Sequence, residues 1–222
     1  METKAENTDK LAIALKNIEF NDIFVLEDMQ RLQDLFSETN GVASIITHPD
    51  GTPITRPSNF CRLCEDIIRK TEKGLANCMK SDAVLGKQNQ EGPNVQPCLS
   101  CSLWDAGTSI TVGGKQIANW LIGQVRNEEM DIKSLLLYAD EIGVNRKEYI
   151  EALKEVPLMS VEQFNKIAKL LFVFANELSE KAYKNLQLKI QLTDLSDERT
   201  LLNESEEKYR LLFENSQDAY FQ

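Results

Sequence analysis

Two Cys-x-x-Cys pairs are the feature that most constrains what this chain can fold into. Cys61 and Cys64 form the first motif, Cys98 and Cys101 form the second, and Cys78 lies between the two motifs. Two residues of spacing let both sulfurs of a tight turn face one metal ion, so the pairs favour a bound metal or iron–sulfur cluster. Two alternatives stay open: separate structural or redox thiols, and disulfides, which an odd number of cysteines fits poorly.

Charge and hydropathy narrow the class of protein. The formal net charge of -10 and the sequence pI of about 4.8 disfavour binding to phosphate backbones and anionic lipid, so we expect no nucleic-acid partner. Residues 1–10 lack the apolar core of a secretion signal, and no later run approaches the ~18 apolar residues of a membrane span. The sequence therefore predicts a cytoplasmic protein with no membrane span.

Strand signals predict one antiparallel sheet built from two hairpins. Residues 42–47 and 52–55 are extended segments on either side of a Pro-Asp-Gly turn. Residues 108–112 and 115–125 flank Gly113-Gly114, whose glycines adopt positive φ at little cost. Both hairpins are expected to supply core strands.

Apolar periodicity predicts helices around this sheet. The predicted helical segments are 27–38, ending at Asn40-Gly41; 62–73, closed by Gly74; 75–85; two short helices around Gly143 within 129–155; and a long helix after Pro157. Residues 87–97 are expected to form a loop, because they are rich in Gln, Asn, Gly and Pro. Residues 1–10 are expected to be disordered, with a short helix to follow.

The long C-terminal helix carries an apolar stripe from Phe164 to Ala182. Leucines continue the stripe near heptad spacing at Leu188, Leu192 and Leu195. We expect this second half to form a parallel two-stranded coil that makes a homodimer, the alternative being a solvated linker.

Catalytic signatures are missing from the sequence. It contains no phosphate-binding loop, nucleophile elbow, zinc-protease motif or dinucleotide-binding turn, and its only histidine is His48, in the first hairpin turn. Catalysis through a nucleophile and a histidine base is therefore not expected. A thiol oxidoreductase is disfavoured too, because no βαβ pattern surrounds either cysteine pair.

Trp104 and Asp105 form a candidate ligand-binding pair just before a core strand. An indole face beside one carboxyl group can line the mouth of a small-molecule pocket. The alternative is that Trp104 fills the core and Asp105 caps a turn, and Trp120 has the same ambiguity. Strand alternation places Trp120 and Ile122 on one face of the sheet and Leu121 on the other.

A set of short motifs carries a family resemblance. The motifs are Asp34-Leu35-Phe36, Thr39-Asn40-Gly41-Val42-Ala43, Asp50-Gly51-Thr52-Pro53-Ile54-Thr55, Ser58-Asn59-Phe60-Cys61, Gly74-Leu75-Ala76-Asn77-Cys78, Ser81-Asp82, Leu103-Trp104-Asp105-Ala106-Gly107 and Ile122-Gly123-Gln124-Val125. In order and spacing they resemble the PocR sensory domain over about residues 22–180. The resemblance implies a PAS-like fold and the sensing of small hydrocarbon derivatives such as diols, upstream of transcription regulators and sensor kinases. It implies a sensor and not an enzyme.

The resemblance also implies site residues. The implied ligand-binding residues are Asn59, Trp104, Asp105, Trp120 and Gln124. The implied metal ligands are Cys61, Cys64, Cys78 and Cys98, which would hold Zn or an iron–sulfur cluster. Cys101 stands where the family has a glycine, so it is expected to be a bystander or a substitute. In the alternative function, a redox or metal sensor, the Cys-ligated site is itself the input.

A second resemblance begins at Glu204. Residues 205–220 resemble the opening helix of a PAS domain, and the sequence stops before any PAS sheet, so we expect a fragment of a longer protein with a histidine kinase or regulator module. The predicted organisation is 1–21 tail or short helix, 22–180 sensory domain, 181–204 helical linker and 205–222 start of a PAS domain. The predicted fold class is α+β: a PAS-like antiparallel sheet with flanking helices and a long C-terminal signalling helix.

Overall fold

The computed structural model describes residues 2–127 and 131–220 of the chain. Met1, residues 129–130 of the segment predicted to hold two short helices, and residues 221–222 of the predicted PAS start lie outside the described residues. The elements are α1 Glu2–Asn17, α2 Phe20–Ile23, α3 Leu26–Asn40, β1 Ala43–Thr47, a π-helix Leu63–Ile68, α4 Glu72–Leu85, β2 Asn94–Pro97, β3 Trp104–Val112, β4 Lys115–Val125, α5 Ile132–Glu141, α6 Arg146–Glu155 and α7 Val161–Tyr220.

The chain divides into two compact units, which we describe separately. The larger unit is Ile18–Ala182, and the other consists of Met1–Asn17 and Tyr183–Gln222. In the second unit an ion pair joins Lys10 Nζ to Asp194 Oδ1 at 2.6 Å. No helix within residues 2–127 or 131–220 is both long and apolar enough to cross a membrane.

The larger unit is built on a four-stranded antiparallel sheet with strand order β1-β4-β3-β2. This sheet, its flanking helices and the long α7 confirm the predicted α+β fold. The β3–β4 hairpin turns at Gly113-Gly114, where both glycines have positive φ, as the sequence predicts. The second half of the first predicted hairpin is different, because it forms no regular strand: Pro53 makes an isolated bridge with Thr47, and Ile54 N–H donates to the Ile46 carbonyl oxygen at 2.9 Å. Proline has no N–H to donate, so Pro53 interrupts the ladder.

Two other sequence expectations need correction. The segment 87–97, expected to be a loop, contains strand β2 at its end, paired with the start of β3. The predicted helix over 62–73 is instead a short π-helix, and α4 already begins at Glu72. Gly74 lies inside the first turn of α4 because the Thr71 side chain caps that helix, accepting a hydrogen bond from Gly74 N–H at 3.0 Å.

The N-terminal segment also differs from the expectation, because α1 is helical from Glu2 to Asn17 where residues 1–10 were expected to be disordered. Most other predicted helices are present. Helix α3 ends at Asn40 with Gly41 in the left-handed conformation, as predicted, and α5 and α6 flank Gly143.

The sheet has a different set of neighbours on each face. On one face, the Phe36 ring of α3 lies 5.6 Å from the Trp120 ring and 6.1 Å from the Phe174 ring of α7, measured between centroids. On the other face, Leu121 packs with Ile45 and with Leu85 of α4. The first face is a closed aromatic core, and the second face contains the candidate site.

Candidate ligand-binding site

A small cavity lies on the second face of the sheet, beneath the π-helix, α4 and the turn that carries Cys98 and Cys101. Its volume is about 40 Å³. The apolar part of the lining includes Ala43, Ile45, Phe60, Leu85 and Leu121, the polar part includes Arg69, Ser81, Asp82, Ser100, Asp105 and Gln124, and Cys64, Cys78, Cys98 and Cys101 supply thiols. A concave, mainly apolar wall with a few convergent polar groups is typical of small-molecule sites.

A bulge between β3 and β4 positions Asp105 in this cavity. The register shifts between Trp104 and Ala106, and Asp105 Oδ1 accepts a hydrogen bond from Gln124 N–H at 2.7 Å. The carboxyl group lies directly over Gly123, where an added Cβ would be 2.0 Å from Asp105 Oδ1. Burial raises the pKa of Asp105 well above its ordinary value, and the charges of Cys101 and Asp82 add to the rise. The buried carboxyl group therefore favours its neutral form.

Gln124 extends this bulge toward the first cysteine pair. Its φ of 58° is unusual for a residue other than glycine. Its side-chain Oε1 accepts a hydrogen bond from Cys61 N–H at 2.8 Å. The Gln124 amide group thus links the end of β4 to the segment that enters the π-helix.

A buried ion pair forms another part of the wall. Arg69 Nη2 donates to Asp82 Oδ2 at 2.8 Å, and the side chains are only 14% and 9% exposed. The Arg69 guanidinium carbon also lies 5.1 Å from the centroid of the Phe60 ring, within range of a cation–π contact. Burial raises the pKa of Asp82, although the charge of Arg69 opposes this change.

The thiols lie in an apolar cluster with residues of α5 and α6. Cys98 Sγ is 3.5 Å from Cys101 Sγ, and Cys78 Sγ is 3.3 Å from Ser100 Oγ. Hydrogen bonds from the Cys64 and Cys98 thiols lower the pKa of Cys101 well below its ordinary value, whereas burial raises the pKa of Cys78 to about 11. All five cysteines are free thiols.

These thiols do not form a ready metal centre. Among residues 2–127 and 131–220, no group of three or more His, Cys, Asp or Glu side chains is placed to hold a metal ion. Cys64, Cys78 and Cys98 of the predicted set line the cavity and Cys61 does not, while the expected bystander Cys101 lies within the thiol contacts. As placed, these residues do not form the predicted metal site, and the metal itself stays a prediction.

The predicted ligand-binding residues are only partly brought together. Asp105 and Gln124 line the cavity, but Asn59, Trp104 and Trp120 do not. Trp120 is fully buried in the aromatic core on the opposite face, where its Nε1–H donates to Ser44 Oγ at 3.0 Å. Asn59 Nδ2 instead reaches the Val42 carbonyl oxygen at 3.4 Å.

The cavity also contains three residues that the sequence did not predict to bind ligand: Arg69, Asp82 and Phe60. Ser81-Asp82 and Phe60 lie within the motifs of the family resemblance, which offered a signal for two of the three. Arg69 gave no such signal, since an arginine that lysine and glutamate follow on a predicted helix usually belongs to a solvated face.

An antiparallel α+β domain with a partly open, mixed cavity on one face of its sheet is compatible with small-molecule binding. The family model described as "Sensory domain found in PocR" matches residues 22–183, so the chain belongs to the PocR sensory-domain family. This match confirms the resemblance and its implication of a role in signal input. A comparison with curated proteins finds no match. The predicted PAS start after Glu204 lies outside the matched residues and stays a prediction.

Proposed function

We propose that this domain binds a small organic ligand, a hydrocarbon derivative, in the cavity on its sheet. In this proposal α7 passes the signal to a downstream PAS and histidine kinase module or to a regulator. The observation that carries the proposal is the cavity itself, in which apolar side chains surround the polar groups of Arg69, Asp82 and Asp105. Membership of a sensory-domain family supports the same role.

The cavity volume sets the size of the ligand. Each water-sized position needs about 10–15 Å³. A cavity of about 40 Å³ therefore holds roughly three such positions, which suits a molecule of about three to five non-hydrogen atoms. Short alcohols, diols and singly methylated compounds are in this range.

A continuous set of contacts joins the cavity wall to α7 within the larger unit. Ser44 lines the cavity and accepts the hydrogen bond from Trp120, which packs on Phe36, and Phe36 packs on Phe174 of α7. Ligand binding would favour one of two packings of this aromatic core, and a coupling of about 1–3 kcal/mol is enough to alter output. Phe36→Leu should then weaken the response of α7 more than it weakens ligand binding.

Helix α7 supplies the proposed output and dimer contact. Leu188, Leu192 and Leu195 are exposed in the single chain, as expected of side chains that a second copy would cover. Arg199 and Glu206 interrupt the pattern, so we propose a weak parallel homodimer. The free cysteines support a cytoplasmic location, because reducing compartments keep thiols reduced.

Calorimetric titration with propane-1,2-diol and ethanol tests ligand binding. Ala43 lines the cavity, so Ala43→Val should reduce the affinity by filling it, whereas Ala43→Gly at the same position should not. If none of these compounds binds the wild-type chain, or if Ala43→Val binds them normally, the cavity is not the ligand site.

A redox sensor is the second candidate, favoured by the 3.5 Å separation of Cys98 Sγ and Cys101 Sγ. An external disulfide would take two electrons from the two thiols, leaving one internal disulfide and two reduced thiols of the oxidant. Mass spectrometry after treatment with oxidised glutathione would detect the internal bond. This candidate replaces the first if the bond forms and output follows redox state while no small molecule binds.

A further inference from the structure

Arg69 has one buried hydrogen-bond donor that no group in the described part of the chain accepts. Its Nε atom is buried and, within residues 2–127 and 131–220, has no hydrogen-bond partner. A buried donor without a partner is expensive, and native structures keep few of them without a functional reason. Because Arg69 lines the cavity, an occupant is the natural source of the missing acceptor.

The surroundings of Arg69 hold its guanidinium group in place. Asp82 receives one Nη2–H at 2.8 Å, and the Phe60 ring covers the guanidinium group at 5.1 Å. The planar guanidinium group is rigid, so fixing one edge and one face also fixes the direction of Nε–H. The donor is thus oriented before any ligand arrives, which reduces the entropy lost on binding.

The charges around the cavity decide what kind of acceptor fits. The positive charge of Arg69 is already matched by Asp82, and the carboxyl group of Asp105 is a second buried acid on the same wall. A ligand carboxylate would add a third acidic group without a further cation to balance it. A ligand cation would lie close to the guanidinium group and be repelled by its positive charge.

We infer that Arg69 is the specificity-determining residue of the cavity, and that its Nε–H donates a hydrogen bond to the oxygen of an uncharged ligand. This inference rests on the proposed ligand-binding function and deepens it. The ligand class is a neutral oxygen compound of about three to five non-hydrogen atoms. A ligand hydroxyl proton is not required, so ketones as well as alcohols should bind.

Nuclear magnetic resonance of the ¹⁵N-labelled 222-residue chain tests the contact directly through the Arg69 Nε–H signal. The probes are propane-1,2-diol and acetone, with acetate and ethylammonium as charged probes of similar size. Binding is expected to be weak, because about four atoms limit the Kd to about 40 µM at best. The two neutral probes should shift the Arg69 signal to saturation, and the two ions should not.

Arg69→Lys is the matched variant, because lysine keeps the positive charge beside Asp82 but has no Nε–H. Loss of a hydrogen bond from a charged donor should weaken both neutral probes about ten- to hundredfold. Arg62→Lys is the control, since Arg62 is a partly exposed arginine that pairs with Glu155 and does not line the cavity, so this variant should leave the affinity unchanged. If Arg69→Lys does not fold, the Arg69 signal of the wild-type chain still decides the question.

Four results would overturn the inference. Equal affinity of wild type and Arg69→Lys, or probe binding that leaves the Arg69 Nε–H signal unmoved, removes Arg69 from recognition while the proposed ligand-binding function stands. Binding of acetate at least as tight as that of propane-1,2-diol would make the cavity an anion site. If no probe binds at any soluble concentration, both the inference and the proposed function fail.

Discussion

Replacement of Asp105 by asparagine should remove a pH dependence of stability that the buried carboxyl group imposes. Asparagine has nearly the same shape, and its Oδ1 can accept the same hydrogen bond from Gln124 N–H, which is 2.7 Å long in the wild type. The variant therefore changes the ionisation at this position while keeping the bulge. The charged or titratable groups that influence Asp105 are Cys101, Asp82 and Arg69, and all three remain.

The sign of the effect follows from the direction of the pKa shift. The folded-state pKa of Asp105 is raised by burial, so above the ordinary value of 3.8 the unfolded chain loses this proton while the folded chain keeps it. Stability of the wild type should then fall by about 1.4 kcal/mol for each pH unit, until the folded carboxyl group also ionises. Below the ordinary value the two states bind the proton equally and the penalty vanishes.

Urea unfolding of both proteins from pH 5 to pH 8 measures this difference. The free energy of unfolding of Asp105→Asn should rise relative to wild type as pH increases, by about 1.4 kcal/mol per unit at the start of the range. Asp50→Asn is the control, because hydrogen bonds from Thr52 lower the pKa of Asp50. Its contribution to the pH dependence of stability therefore lies below pH 5, outside the measured range. A difference that stays constant with pH, or one that favours wild type at high pH, would refute the reasoning.

Three further predictions concern Tyr149, Gly123 and the length of α7. Tyr149→Phe should stabilise the chain by about 1–2 kcal/mol in urea unfolding, because the Tyr149 hydroxyl is buried without a hydrogen-bond partner in the described part of the chain; a loss would contradict this. Gly123→Ala should lower the free energy of unfolding by about 3 kcal/mol, because the added methyl group clashes with the Asp105 backbone. Gly92→Ala, which adds a methyl group in open space, should change it by about 0.5 kcal/mol or less, and similar losses for the two variants would disprove this prediction. Ending the chain near Tyr183 should give more monomer by sedimentation, and an unchanged dimer would exclude a coil through α7.

The fold was largely predictable because its main signals are local. Gly113-Gly114 between two β-branched runs identifies the central hairpin, and the apolar stripe after Pro157 identifies α7. The failures came where long-range pairing overrides local preference. Strand β2 contains Asn94 and Pro97, both poor strand formers, and it exists because the start of β3 provides a partner. The misplaced helix boundary at Gly74 has a local cause instead, because the Thr71 side chain caps α4 and so places Gly74 inside its first turn.

The candidate site was less predictable, because three-dimensional placement decides it. Asp105 and Gln124 reach the cavity, yet Trp120 of the same predicted set belongs to the opposite face, a choice that the sequence left open. Arg69 resembles a solvated helix charge until α4 brings Asp82 against it. Cys101 is placed among the other thiols by the turn between β2 and β3, although the resemblance led us to expect a bystander or a substitute there.

The π-helix determines which side chains share the cavity. Arg69 N–H donates to the Cys64 carbonyl oxygen at 3.0 Å, so this wide turn places one extra residue between the two positions. In an ordinary α-helix, five residues turn through about 500°, which would leave Arg69 about 140° away from Cys64 around the axis. Both residues line the cavity only because the turn is widened. Regular α-helical winding of this segment at its present length would rotate the guanidinium group out of the site, whereas deleting one residue between the two positions would leave them only about 40° apart. The ligand chemistry of this domain therefore depends on helical phase as much as on residue identity.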